Sequence, residues 1–422
     1  MMLTPPLETI SACRSCGSEN LVVLKSFGQT PIADRLMRPD DRSPEYTAPL
    51  TLMHCGDCAL CQIAETVEPR ILFGPEYPYF SSVSPALMAH FKASAEQIIS
   101  DRKLDRSNLV VEAASNDGYM LRTFRDHGIG VLGIDPADGP AKVAKERGIE
   151  TICDFFNAAL AKHLVADGKK ADVFLANNVL AHVADTNDFV EGIAILLSEN
   201  GQAVIECPYL LDLVDNCAFD TIYHQHLLYF SLHALVPLFE RHGLHLNHAR
   251  RLLIHGGSLR LFVSKSEGQS RELVEMLNQE RQRKVNSRAF YAGFLSRIER
   301  LKADTRAAID NFKADGKRIA GYGAAAKATT LLHYFGLESD DLEFIYDKSK
   351  WKQGLEMPVT RIPIVAPENL NNDPPDAVLI LAWNFANEIA AENRAYTGNG
   401  GTFLLPVPEF QVVTKERVGG VM

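Results

Sequence analysis

Two imidazoles and a phenol fall within four residues at Tyr223-His224-Gln225-His226, inside the longer run from Thr221 to Ser231. Imidazole is the side chain whose ordinary pKa lies closest to neutrality, so a positioned histidine here could take a proton from carbon or oxygen. Drawn as extended chain, the segment sends Tyr223 and Gln225 to one side and His224 and His226 to the other. The same residues would also suit a polar loop whose histidines only bond the backbone, and the segment alone does not separate the two.

A second concentration of chemistry lies at the start of the chain. Cys13-Arg14-Ser15-Cys16 and Cys55-Gly56-Asp57-Cys58 are a CxxC pair of knuckles, each able to present two thiolates to one tetrahedral zinc ion. With all four positions filled by cysteine the site is closed, hence structural. Clustered spacing favours metal ligation over disulfides for these members of the chain's 8 cysteines.

A third group requires a sheet to position it. Leu109 to Gly118 reads as a buried strand ending in a small-residue turn, with a helix expected from Tyr119 to His127. The next strand ends at Asp135-Pro136, where doubly wound folds place a carboxylate for ribose hydroxyls. The turn carries Glu112, Ala114, Asn116 and Gly118 rather than GxGxxG, which points to S-adenosylmethionine instead of NAD. A third strand over 149–152 leads to Asp154, Phe155 and Phe156, a ring pair suited either to adenine or to the core. A fourth runs over 172–178 through Asn177 to His182, and a fifth covers 201–208.

The last third repeats the plan. Charged, helix-spaced sequence over 271–313 predicts one or two long amphipathic helices. Arg318 to Lys327 is again strand, small-residue turn and helix start, whose backbone amides and Lys327 could hold a phosphate or could simply pack. Further strands are expected over 342–347, 377–383 and 402–406, with Lys348 and Lys352 as phosphate candidates or plain surface. Across 422 residues, 46% hydrophobic, several cores can be buried. A net charge of -10 excludes bulk phosphate-backbone binding, so no nucleic-acid partner is expected. No apolar run spans a membrane and Met1 to Pro6 has no secretory character, so a cytoplasmic protein without membrane attachment is expected.

Taken in order, these motifs resemble one family, the three-domain, zinc-binding, S-adenosylmethionine-dependent sugar C-methyltransferases acting on nucleotide-linked 4-keto-6-deoxy sugars. The matching stretches are 13–17, 55–59, 77–84, 110–118, 177–182 and 223–231. The resemblance implies an α/β chain with an N-terminal zinc-binding domain (1–75), a central Rossmann-like class I methyltransferase domain with a leading helix (76–265), and a helical connection to a second Rossmann-like domain that helps bind substrate (266–422). It implies Cys13, Cys16, Cys55 and Cys58 as zinc ligands. The methyl donor would meet Glu112, Ala114, Asn116, Gly118, Asp135, Pro136, Asp154, Phe155, Phe156 and Asn177. His226 would be the base, with Tyr223 and His182 as enolate donors and His224, Gln225, Tyr77 and Tyr79 around them. Ser81, Ser82, Tyr322, Lys327 and Lys352 would meet a small nucleotide-sugar substrate.

Four positions depart from the family pattern. Ala114 and Ala59 replace glycines, Gln225 replaces the acid of YHEH, and Asp34 replaces an asparagine expected near the nucleotide base. Three other functions fit parts of the sequence: an O-methyltransferase using the same histidine, an NAD-dependent sugar-nucleotide oxidoreductase, and a non-catalytic zinc-ribbon adaptor.

Overall fold

The computed structural model describes residues 2–72, Ser82 and residues 85–414. Among these, the strands form three main sheets and one two-stranded ribbon. The first sheet pairs Leu21–Pro31 with Glu45–Cys55 and continues through Cys61–Ile63. Its last strand is Leu228–Tyr229, which comes from far along the chain and pairs Leu228 with Gln62 and Tyr229 with Cys61. The run that follows the histidine segment is thus built into the cysteine-bearing sheet.

The central sheet has seven strands, in the order His245–Leu252, Ser258–Ser264, Leu197–Pro208, Ala171–Asn177, Leu109–Ala113, Gly130–Ile134, Thr151–Ile152. Only Ser258–Ser264 runs against the rest. The chain lays strands outward from Leu109–Ala113 and then crosses to Ala171–Asn177, so strand order reverses between those two. Such a reversal opens a crevice at the carboxyl ends of the strands. Alternating residues send Val110, Val173, Leu175 and Val204 into a core with Phe91 and Ile98 of the helix Pro85–Arg102. The opposite face packs Val111, Phe174 and Ile205 into the large common core.

The C-terminal sheet repeats this topology. Its order is Ile364–Val365, Ile345–Tyr346, Ile319–Tyr322, Ala377–Ile380, Thr402–Leu405, Gln411–Val413, all parallel but the last. The amphipathic stretch before it forms Arg271–Gln282 and Ala292–Ala314, as its periodicity predicts.

Several strands differ from expectation. Over 342–347 the strand proper is Ile345–Tyr346, and backbone bonds extend the pairing at both ends, from the Glu343 N–H to the Ile319 carbonyl and from the Asp347 N–H to the Val365 carbonyl. Pairing of Ala377 onward stops where Tyr322 meets Ile380, and the chain then turns into the 3-10 helix Trp383–Phe385. The helix after the donor loop is Leu121–Asp126, shorter than predicted at both ends. His245–Leu252, Ser258–Ser264, Ile364–Val365 and Gln411–Val413 were not foreseen. No helix among the described residues is long and apolar enough to cross a membrane.

Candidate active site and metal centre

The four cysteines meet. Their sulfurs lie within 4.8 Å of one another, with Cys13 to Cys58 and Cys16 to Cys55 each at 3.6 Å. Sulfurs about 2.3 Å from one tetrahedral zinc stand about 3.8 Å apart, so the spacing fits that ion. The Cys13 thiol is pulled down to about 4, chiefly by the hydrogen bond from Cys58, whose own pKa is driven up by the same contact and by burial. Gly17 and Ala59, each following a knuckle's second cysteine, both take left-handed backbone, at φ 72° and 62°. Glycine does this without strain, whereas alanine costs about 1 kcal/mol. The first knuckle is docked onto the central domain, since Arg241 donates to the Ser15 carbonyl at 2.8 Å and Asn187 to the carbonyls of Arg14 and Ser15.

The donor loop shows the same glycine logic. Ala114, Asn116 and Gly118 have φ of 54°, 50° and 74°. Glycine in the first place relieves backbone strain, so the replacement by alanine acts through conformation as well as through the added methyl. A Cβ on Gly118 would meet Ile149 Cγ1 at 2.9 Å, so packing also requires a glycine there. Asp135 stands buried at the end of its strand and ties the loop down, its Oδ2 accepting the Asn116 N–H at 2.8 Å and its Oδ1 the Ala137 N–H at 2.9 Å. Asn177 donates from Nδ2 to Glu112 Oε1 at 3.0 Å across the crevice. Burial pushes the Glu112 carboxyl up to about 8.

Other expected donor contacts spread apart. Phe156 is core, with ring centroids 4.7 Å from Phe174 and 5.3 Å from Phe189, while Phe155 stays 44% exposed. Asp154 is exposed and accepts the Phe155 N–H, and Pro136 is half-buried beside Asp135. Tyr77, Tyr79 and Ser81 lie outside the described residues. Ser82 hydroxyl donates to the Asp117 carboxylate, which also takes Arg147 at 2.8 Å.

At the histidine segment the structure corrects the extended drawing. Residues 223–226 form a tight turn, closed by His226 N–H donating to the Tyr223 carbonyl at 2.9 Å. A turn puts i and i+3 together, so Tyr223 and His226 share a side: the Tyr223 hydroxyl donates to His226 Nε2 at 2.9 Å and the rings lie 4.1 Å apart. His226 Nδ1 donates to the Thr221 carbonyl at 2.8 Å. The ring of His182 is 4.9 Å from that of His226, and its Nδ1 donates to the Gln225 carbonyl at 2.5 Å. Burial pulls the pKa of His182 down.

His224 and Gln225 leave this group for the first sheet. His224, fully buried, donates from Nε2 to the Pro49 carbonyl at 3.0 Å, and burial pulls it down to about 4, so it is neutral near pH 7. Gln225 donates from Nε2 to the Ala33 carbonyl at 2.8 Å. Carboxylate in place of that amide would lack the donor, which gives the replacement of the family acid a local reason.

In the C-terminal domain Tyr322 is buried beside Tyr346. Lys352 donates to the Ala324 carbonyl at 2.7 Å, and burial raises the carboxyl of Asp34, which faces Lys352 and Asp347. Lys327 donates to Asn384 Oδ1 at 2.5 Å with its ammonium 3.9 Å from the Trp383 ring centroid. Sequence reasoning missed the Thr221 carbonyl, Asp220, Trp383 and the buried cluster in which Glu206 takes Arg260 at 2.7 Å and His90 at 3.0 Å. A backbone acceptor carries no sequence signal, and His90, Glu206 and Arg260 meet only through the fold.

Comparison with known proteins agrees with this layout. Residues 13–73 match the zinc binding domain family of methyltransferases, 88–249 a methyltransferase domain family, and 253–408 the C-methyltransferase C-terminal domain family. The C-methyltransferase NovU of Streptomyces niveus is 36% identical over 414 residues, covering 97% of this chain and 98% of that one. Among solved structures, a magnesium protoporphyrin IX methyltransferase from Synechocystis PCC 6803 overlaps 42% of this chain and 79% of its own at 13% identity and TM-score 0.34. A TehB-like methyltransferase from Corynebacterium glutamicum overlaps 43% and 100%, at 16% and 0.30. These partial overlaps add nothing to the assignment, which rests on the full-length relative and the three family matches. The chain belongs to the C-methyltransferase family and is an S-adenosylmethionine-dependent methyltransferase whose four-cysteine cluster suits a structural zinc.

Proposed function

We propose that this cytoplasmic enzyme methylates a carbon next to a ketone on a nucleotide-linked deoxysugar. The observation that carries the proposal is the Tyr223–His226–Thr221 chain of hydrogen bonds. With its Nδ1 proton on the Thr221 carbonyl, neutral His226 carries its lone pair on Nε2, where a base needs it. In the reaction Nε2 takes the proton from carbon, and the C–H electron pair moves into the enolate. The Tyr223 hydroxyl, which bonds Nε2 beforehand, turns to donate to the enolate oxygen. His182, with Nδ1 committed to Gln225, packs against the base.

When bound, S-adenosylmethionine would supply an electrophilic methyl group to the enolate carbon, its sulfonium becoming a neutral thioether. Glu112, Asn177 and the loop 114–118 would hold its amino-acid end and Asp135 its ribose hydroxyls. Tyr77, Tyr79, Ser81 and Ser82 would line the sugar side. Tyr322, Lys352 and the amides following Gly323 would hold the nucleotide. Positioning of carbon against methyl supplies much of the acceleration.

The test is incubation with S-adenosylmethionine and a panel of 4-keto-6-deoxy nucleotide sugars, followed by mass spectrometry and carbon NMR of the products. A new C–CH3 carbon beside the former ketone is expected. Methylation on oxygen, or on none of the panel, contradicts the reading.

A further inference from the structure

The helix Ala326–Phe335 and the end of the strand Ala377–Ile380 reach the histidine segment on both sides of Thr221. On one side the Thr330 hydroxyl donates to the Ile222 carbonyl at 2.9 Å. On the other, Asp220 is fully buried, its Oδ2 accepts the indole N–H of Trp383 at 2.7 Å, and its charge faces that of Lys327. Lys327 is held in turn, with its ammonium 2.5 Å from Asn384 Oδ1 and lying over the Trp383 ring. The Trp383 indole therefore stands between the two charges at the carboxyl end of the C-terminal sheet, bonded to the Asp220 carboxylate and covered by the Lys327 ammonium. Asp220 is the only one of the three from the central region.

Thr221 lies between these two tethers, and its carbonyl is the partner of His226 Nδ1. A carbonyl can only accept, so this bond requires the proton on Nδ1 and leaves the lone pair on Nε2. Rotation of the 221–222 peptide would remove the acceptor and let the ring take the other tautomer, in which Nε2 carries the proton and cannot act as a base. That peptide's own N–H donates to the Phe219 carbonyl at 3.0 Å in the 3-10 turn Phe219–Thr221, and the tethers on Asp220 and Ile222 add to this restraint from the C-terminal side.

We propose that the C-terminal domain sets the tautomer of His226: Lys327 and Trp383 acting on Asp220, and Thr330 acting on Ile222, fix the Thr221 carbonyl so that the imidazole keeps its proton on Nδ1. Asp220, Thr330 and Lys327 are positioning residues in this account. It rests on the reading of His226 as the base. It also gives the C-terminal domain a part in the chemistry that is separate from holding substrate.

The experiment is nitrogen NMR of the zinc-loaded full chain carrying 15N-labelled histidine rings, with the His226 signals identified by their loss in His226→Gln. Wild type is expected to show a protonated Nδ1 and an unprotonated Nε2. Removing one charge alone strands the other in the interior, so the informative variant is Asp220→Asn with Lys327→Met, alone and with Thr330→Val. The triple variant should shift the His226 signals toward a mixture of tautomers and lower turnover by about 100-fold, as expected for a misplaced base, with S-adenosylmethionine affinity within about twofold of wild type.

Wild-type tautomer in the folded triple variant overturns the proposal, as does an Nε2–H tautomer in wild type. So does a Lys327→Met enzyme with unchanged kcat and a raised KM for the nucleotide-linked acceptor, because Lys327 would then be a phosphate contact. If wild type methylates no keto sugar, the base assignment falls while the tautomer signals still decide the positioning claim.

Discussion

The central and C-terminal sheets are built to one plan and used differently. In each, a strand runs into a small-residue turn, a helix follows, and the next strand ends in an aspartate that ties the turn down. Asp135 takes the N–H groups of Asn116 and Ala137 at 2.8 and 2.9 Å, and Asp347 takes those of Ala324 and Ser349, both at 2.8 Å. At the central switch point Glu112 and Asn177 bond each other, and their other partners are Tyr119 and Met120 of the turn that follows the same strand. At the C-terminal switch point two side chains beside the turn are engaged by the protein itself, Lys327 with Asn384 and Trp383 with Asp220 of the histidine segment. The same turn, helix start and acid therefore make both cradles, and the side chains beside each decide whether it also ties down another part of the chain.

The largest effect that would break the comparison belongs to the two loops' glycine requirements. Gly323 has φ 96°, and a Cβ there would meet Ala382 Cβ at 2.4 Å. Gly323→Ala should therefore cost about 3 kcal/mol, backbone strain and overpacking together, in chemical unfolding. A loss under about 1 kcal/mol would show that the C-terminal turn is looser than its packing says.

Next comes Asp135→Ala, expected to weaken S-adenosylmethionine binding by about 1 to 3 kcal/mol in calorimetry, the cost of leaving its polar partners unmet. Asp347→Ala should leave that affinity unchanged. Equal effects would erase the distinction between the two cradles.

Glu112 sharpens the contrast through pH. Its folded-state pKa, near 8, lies above the ordinary carboxyl range, so its contribution to stability is fully present below about pH 4 and is lost as pH rises through about 8. Donor-free wild type should thus lose stability across that window relative to Glu112→Gln, in paired thermal melts. Parallel curves would mean that the carboxyl is ionised throughout.

The smallest effect is Ala114→Gly. Relief of left-handed strain at φ 54° should stabilise the protein by up to about 1 kcal/mol, less the added freedom of glycine in the unfolded chain. Destabilisation in urea would show that the alanine methyl is packed to advantage.

Much of this was legible in the sequence for identifiable physical reasons. Paired CxxC spacing specifies four thiolates wherever the knuckles meet, and parallel strands buried on both faces write themselves as apolar runs ending in turn residues. What escaped was long-range or backbone-borne. Leu228–Tyr229 joins the cysteine sheet across more than 160 positions, and two-residue edge strands such as Ile364–Val365 leave no periodicity. Within the site, His226, Tyr223 and His182 were legible as residue types, but the turn that puts Tyr223 and His226 on one side was not. Period-two reasoning separated the very pair that the structure joins. Phe156 shows the opposite limit, since an aromatic beside a ligand loop and one in the core look alike until Phe174 and Phe189 are in place.

The central claim is that His226 takes a proton from carbon, and solvent-deuterium exchange tests it most directly. A keto sugar nucleotide that the wild type methylates would be incubated in heavy water with S-adenosylhomocysteine in place of the donor, so that enolisation proceeds and methyl transfer cannot. Wild type should place deuterium on the carbon beside the ketone, and His226→Ala should slow this by roughly two to four orders of magnitude while binding the donor analogue as tightly. Exchange at the wild-type rate in His226→Ala would contradict the account and pass the role of base to another group in the pocket.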